Sequence, residues 1–262
     1  MKLFAIITKS HEPIWEVFAD SVKKYGPEFE LCMIDCPTGG ELAAVGGERF
    51  KSIVDFKLEQ VVKTITENLG DVIVWSDTDV VFVRTGISQV INEYIADVDV
   101  TGMANECTGK ELNGGFLVIK CSEKTLAFWK QLKDIPKDTD FYEQDLMNKL
   151  IVKSDIKYKV LPDAFWCDHR MYEKIYHSGG KFFVWSNGKE ILVPSDTMVF
   201  HATSSTYLCK ANQMIWVRDL VEGKLDDAAI DYRMHLFFRH FDDCGVCKVF
   251  SCPNNYNSLK SK

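Results

Sequence analysis

Asp71-Val-Ile-Val-Trp-Ser-Asp77-Thr78-Asp79-Val-Val-Phe-Val83 is the stretch that decides the fold and the place of the chemistry. It holds two short apolar segments of strand character, and the break between them carries two carboxylates one residue apart. An apolar run of this length reads as a buried strand, and in open α/β sheets ligands bind in the crevice beyond the strands' carboxyl ends. Asp77 and Asp79 are expected there. Two neighbouring acids repel each other and are costly to bury alone, so a cation should compensate them. A hard divalent metal taking oxygen ligands is the simplest one, which makes Asp77-Thr78-Asp79 an Asp-x-Asp metal site candidate. The plain alternative is a pair of solvated turn aspartates after a strand.

The pattern around this stretch is α/β. Leu3–Ile7 suits a buried first strand, Ile14, Val17, Phe18 and Val22 follow helical spacing as far as Gly26, and Phe29–Ile34 reads as a second strand. A glycine-rich loop from Thr38 to Gly47 leads to Leu58, Val61, Val62, Ile65 and Leu69, one face of a helix stopped by Gly70. This alternation implies right-handed crossovers and a Rossmann-like, mostly parallel sheet flanked by helices, with a nucleotide-binding half over about residues 1–97. Beyond it, Asp99–Met103 and Gly115–Lys120 read as strands and Ser122–Leu132 as a helix. Asp140-Phe-Tyr-Glu143 reads as a capping box opening another helix. A single domain over 1–210 with a helical C-terminal extension over 211–262 is the expected organisation. In the extension Ile230, Met234, Phe237, Phe238 and Phe241 recur at helical spacing. Core packing is the plain reading of that stripe, and a membrane-surface or partner-binding helix is the sharper one.

Composition bounds the function class. The 262 residues, 46% of them hydrophobic, suffice for a sizeable core and exclude a disordered chain. A net charge of −7 without any Lys/Arg block argues against nucleic acid as the main partner. No stretch reaches the roughly 18 apolar residues that span a bilayer, and the apolar start at Met1–Thr8 is too short for a signal-peptide core. The nine cysteines are odd in number and scattered, which suits reduced thiols and a cytoplasmic location. Cys244, Cys247 and Cys252 with His240 form the one zinc-like spacing; the alternative is a set of unrelated thiols.

Four segments together resemble the GT-A class of glycosyltransferases, in particular the nucleotide-diphospho-sugar transferase group. They are the Asp77-Thr78-Asp79 break, Asn113-Gly114-Gly115-Phe116, Glu143-Gln144-Asp145, and Val199-Phe200-His201. Their order and spacing match over roughly residues 1–210. The resemblance implies a GT-A fold and transfer of a sugar from a nucleotide diphosphate, most simply UDP-linked, to a hydroxyl on a glycan, protein or lipid-linked acceptor. A peripheral membrane contact would suit the last of these.

Such transfer needs the leaving diphosphate's charge neutralised as the glycosidic bond breaks, and a metal bridging its oxygens does this without a proton transfer. By resemblance, Asp79 is the principal metal ligand, Asp77 touches the ribose or donor sugar and reaches the metal through water, and His201 completes the sphere. Two carboxylates and one imidazole lean toward Mn2+ over Mg2+. Lys57 stands where the group places a basic residue toward donor phosphate or sugar, and Thr8 ends the first strand, where the group contacts the nucleoside. Asn113 offers an amide to sugar hydroxyls, and Gly114 lets backbone approach the ligand, although Asn-Gly-Gly also reads as an ordinary turn. Asp145 is expected to face the reacting carbon, with Gln144 beside it as the second catalytic candidate and Glu143 as a cap. After His201 the chain reads Ala-Thr-Ser-Ser-Thr-Tyr-Leu-Cys-Lys210, without the Lys-Pro-Trp that some members close over the diphosphate, so Lys210 is the available substitute.

Two readings of other classes stand beside this one. Asp77-Thr-Asp79-Val-Val also fits the haloacid-dehalogenase pattern with Asp77 as phosphoryl-accepting nucleophile, although no later Gly-Asp-x-x-x-Asp segment follows. A non-catalytic nucleotide-sugar or carbohydrate binder is the other.

Overall fold

The computed structural model describes residues 1–37, 48–105, 109–135, 143–167, 174–186, 188–203, 207–224 and 231–233. Strand β1 (Lys2–Ile7) leads through a short 3-10 turn into helix α1 (Glu12–Tyr25), which buries Ile14, Val17, Phe18 and Val22 at the expected spacing. Pro13 sits in its first turn, where a missing N–H costs nothing. Strand β2 (Glu30–Asp35) pairs parallel to β1. Helix α2 (Glu48–Glu67) buries Leu58, Val61 and Ile65, and Gly70, at φ 93°, turns the chain into β3 (Val72–Ser76), parallel to β1 on its other side.

Where β3 ends, the chain changes sheets. The short strand β4 (Val80–Phe82) does not continue the main sheet. Helix α3 (Ile87–Ile95) then leads to β5 (Val100–Asn105) and to the ten-residue β6 (Glu111–Lys120), which inserts antiparallel between β3 and β5. Helix α4 (Glu123–Lys133) is closed at its start by a capping box between Ser122 and Thr125. Helix α5 (Glu143–Ile151) begins at the expected Glu143, but Asp140 and the rest of its proposed cap lie outside the described residues. Strand β7 (Tyr158–Val160) pairs parallel to β5, completing a sheet of order β2-β1-β3-β6-β5-β7. The architecture is α/β with a mixed, mainly parallel sheet, as the alternating pattern implies. The continuous apolar run of β3 has a simple cause: Val74 faces one hydrophobic cluster, while Ile73 and Trp75 face the other.

Strand β8 (Phe165–Cys167) and β12 (Val199–His201) complete a three-stranded sheet with β4, in the order β4-β12-β8. Between them runs a meander that periodicity does not reveal: β9 (Lys174–Ser178), β10 (Lys181–Ser186) and β11 (Lys189–Leu192). Its first hairpin turns on Gly179 and Gly180, both at positive φ, and the Gly-Gly pair was its readable signal. Helix α6 (Tyr207–Val221) starts before residue 211 and packs on α1. The helical reading fails at Asp231–Arg233, which form β13 against β9. Phe237, Phe238, Phe241 and the Cys244, Cys247, Cys252 and His240 group lie outside the described residues. Among the described residues Cys32, Cys36, Cys121 and Cys167 form no disulfide, and burial pushes the Cys121 thiol up to about 12.

The end of α6 is tied to α1 through Glu222, whose carboxylate accepts hydrogen bonds from Tyr25 Oη at 2.5 Å and pairs with Lys24 at 2.9 Å and Lys224 at 2.6 Å. Burial alone would raise this carboxyl, but the bonds from Lys224, Tyr25 and Lys24 outweigh it and hold the group at about 2. A folded pKa below the ordinary 4.5 means stability that is present above pH 4.5 and lost as pH falls toward 2. Acid titrations of stability should therefore show a shallower loss over that window in Glu222→Gln than in the unmodified chain. Equal slopes would remove Glu222 as the anchor of α6.

Candidate donor and metal site

Asp77-Thr78-Asp79 is the bend at which the chain leaves the six-stranded sheet for the three-stranded one. Strand β12 runs antiparallel to β4 with His201 opposite Val80, and the Ala202 N–H donates to the Asp79 carbonyl at 2.9 Å. That register sets His201 beside Asp79 although 122 residues separate them. Ligand atoms of Asp77, Asp79 and His201 all lie within 4.8 Å of one another. Two carboxylates and an imidazole at this spacing fit a divalent ion of the Mn2+ or Mg2+ kind, with the imidazole favouring Mn2+.

Each aspartate also has a cation of the chain's own. Lys57, in the third turn of α2, donates to Asp77 Oδ1 at 2.7 Å, to the Gly114 carbonyl at 3.1 Å and to Glu143 Oε1 at 3.4 Å. Burial would lower this ammonium, but Asp77 and Glu143 outweigh it and raise it well above the usual lysine range. Lys57 thereby joins α2, the Asp-x-Asp bend and the start of α5. Asp79, whose side chain is 13% exposed, is bonded by His201 Nε2 at 3.0 Å on Oδ1 and by the Lys210 ammonium on Oδ2. Burial would raise the Asp79 carboxyl, but Lys210 and His201 outweigh it and depress it far below the usual carboxylate range. The expected compensation is thus supplied by lysines as well as by the geometry for a metal. Lys210, reached from the first turn of α6, stands in the site itself.

Asn113-Gly114-Gly115 is no turn but lies inside β6, and the Asn113 side chain is buried and turned inward. Its Oδ1 accepts from the Gly115 N–H at 2.7 Å and lies 3.1 Å from His201 Nδ1, and its Nδ2 donates to Gln144 Oε1 at 3.2 Å. These contacts support His201. Gln144 Oε1 also accepts the Gly114 N–H at 2.8 Å, so the carbonyl end of this side chain points at β6. Gly115 is glycine for lack of room: a Cβ there would stand 2.2 Å from His201 Cε1.

Asp145 is half-buried on the flank of α5 and makes no hydrogen bond or ion pair among the described residues. Thr8, at the end of β1, has Oγ1 2.8 Å from His11 Nδ1. His11 is the site residue that periodicity passes over. Burial, and next the charge of Lys210, lower its imidazole to about 4 against the opposing pull of Asp79, so it stays neutral beside the same cluster. Its only sequence signal is its place just after the first strand.

A family model for nucleotide-diphospho-sugar transferases matches residues 46–207, which contain all of these residues except Thr8, His11 and Lys210. The chain belongs to that family. Membership sets aside the haloacid-dehalogenase reading of Asp77. Among solved structures, a glycosyltransferase involved in glycosylation of the major capsid of PBCV-1 is similar at TM-score 0.53 and 11% identity, over 82% of this chain and 98% of that one. The galactosyltransferase LgtC, solved with donor and acceptor sugar analogues, is 15% identical over 85% of this chain and 96% of that one, at TM-score 0.48. The glycosyltransferase GlyE of Streptococcus pneumoniae TIGR4 is 12% identical over 62% of this chain, at TM-score 0.45, and the chain spans 45% of GlyE's length. At such identities the likeness is one of fold. No curated protein matches the sequence.

Proposed function

We propose that this family member transfers a sugar from a UDP-linked donor to a hydroxyl acceptor with the help of Mn2+. The observation that carries the reading is the convergence of Asp77, Asp79 and His201 at the carboxyl end of β3. Asp79 and His201 would hold the metal directly, and Asp77 directly or through water. When bound, the metal neutralises the leaving diphosphate. Lys57 holds Asp77 in place and keeps a positive charge at the floor of the cleft. Lys210 shares Asp79 with the metal, and its ammonium remains on hand for the same diphosphate. Thr8 and His11 line the end of β1, where a nucleoside would lie.

The test is a panel of UDP-, GDP- and other nucleotide sugars, measured for binding and slow hydrolysis with and without Mn2+. Metal-dependent binding of UDP donors with turnover is expected. Binding without turnover of any donor would instead favour a carbohydrate-binding protein, and no binding by folded protein across the panel would sink the reading. Among the described residues no helix is long and apolar enough to cross a membrane.

For Asp145 the proposed role is the carboxylate facing the reacting carbon. With no partner among the described residues, its charge is available to substrate. Asp145→Asn is expected to spare donor affinity and to lower the transfer rate on the order of a hundredfold or more, as deletions of a general base or of an electrostatic group do. A loss confined to donor affinity would place the side chain in the donor's binding shell.

A further inference from the structure

The directions of the hydrogen bonds that run from Gln144 through Asn113 to His201 are determined by two backbone N–H groups. Gly114 N–H can only donate, so the Gln144 atom it meets at 2.8 Å is the carbonyl oxygen. The Asn113 atom 3.2 Å from that oxygen is therefore the amide nitrogen. Gly115 N–H, at 2.7 Å, independently requires the other end of Asn113 to be its oxygen. That oxygen accepts and never donates, so His201 Nδ1, 3.1 Å away, must carry a proton. The Cys167 thiol 3.5 Å from the same nitrogen does not alter this, because a bare Nδ1 would set two lone pairs against each other at the Asn113 contact. Nε2 meets Asp79 Oδ1 at 3.0 Å and donates to that carboxylate in the metal-free chain; a metal bound there would take the place of this proton and leave the one on Nδ1.

We propose that Asn113, oriented by Gln144, is a positioning residue that locks His201 with its proton on Nδ1 and so presents Nε2 as the metal-ligating atom. The inference rests on the metal-dependent reading above, and it gives Asn113 and Gln144 a task distinct from contact with the donor. Partners on the far ring nitrogen of a metal-binding histidine typically change metal affinity 10- to 100-fold. Gly115 belongs to the same device, since a Cβ there would stand 2.2 Å from His201 Cε1.

The test reads the ring directly. Long-range 1H–15N correlation spectra of the full chain loaded with Zn2+ as a diamagnetic stand-in for Mn2+, assigned with His201→Gln, should show a proton on Nδ1 and none on Nε2. In Asn113→Leu the acceptor for Nδ1–H is lost, so the ring should keep its proton on Nε2, against Asp79 and in competition with the metal, and Mn2+ affinity measured by calorimetry should fall about 10- to 100-fold. Asn113→Asp keeps an oxygen for both Gly115 N–H and Nδ1–H; the Nδ1–H tautomer should survive in it, which keeps the test open if the leucine variant does not fold. A bare Nδ1 in the Zn2+-loaded unmodified chain, or an unchanged Mn2+ affinity in Asn113→Leu, overturns the inference while leaving Mn2+-dependent donor binding standing. No Mn2+ uptake by the unmodified chain overturns the metal reading and this inference with it.

Discussion

Asp79→Asn is expected to abolish Mn2+-dependent donor binding, with metal affinity weakened by more than about a hundredfold, because the loss of a direct ligand exceeds the loss of its supporting partners. Asparagine is the informative replacement. From the sequence, the charge of Asp79 is matched by the metal and not by the fold, so alanine should be harmless to stability; the contacts argue otherwise. Lys210 and His201 both lean on this carboxylate, and their side chains are 17% and 5% exposed. Alanine would leave a largely buried ammonium without its partner, a change that costs about 3–5 kcal/mol for a fully buried pair and less where some water reaches it. Asparagine keeps the shape and an oxygen for His201 or Lys210 while removing the ligand's charge. Calorimetric titration with Mn2+ in the presence of UDP, alongside thermal melts of both variants, separates the two effects. Unchanged metal affinity in Asp79→Asn would refute the metal assignment, and equal melting of Asp79→Asn and Asp79→Ala would refute the role given to Lys210.

The second large effect is expected from a single methyl group. Gly115→Ala places a Cβ 2.2 Å from His201 Cε1 and 2.9 Å from both His201 Nδ1 and Asn113 Oδ1. Neither neighbour has freedom to yield, since the ring is held from both ends by Asn113 and Asp79. Overpacking of this kind costs about 1–3 kcal/mol, which for a chain of this size lowers Tm by roughly 2–6 °C. The ring should also leave its position, so Mn2+ affinity should fall with stability. Gly114→Ala is the internal control. Its Cβ would meet Gln144 Cβ at 3.4 Å, an ordinary contact, and it should melt and bind metal almost as the unmodified chain does. Indistinguishable behaviour of the two variants would show that His201 is not confined as described.

Several features were legible in the residues because they depend on neighbours a few positions away. The spacing of Ile14, Val17, Phe18 and Val22 gave α1 its inner face, Gly70 marked the turn out of α2, and the apolar run before Asp77 marked a strand covered on both sides. Boundaries slipped where tertiary contacts overrode turn chemistry. Asn113-Gly114-Gly115 looks like a turn in one dimension, yet it continues β6, since its glycines make room for His201 and Gln144 and its amide has partners on both sides. The meander of β9 to β11 and the strand Asp231–Arg233 gave no periodic signal strong enough to read.

By itself the sequence determined the α/β class, the Asp-x-Asp bend at a strand end and the set of residue types suited to a metal and a diphosphate, because all of these follow from local pattern and side-chain chemistry. Only the tertiary structure decided which cation answers which aspartate, which face Asn113 presents and which nitrogen of His201 is offered. Those depend on the antiparallel register of β12 against β4 and on helices α2, α5 and α6 delivering Lys57, Gln144 and Lys210 to one point. Charge compensation in a buried site is set by distances of a few ångströms between residues a hundred or more positions apart, and no local pattern encodes those distances.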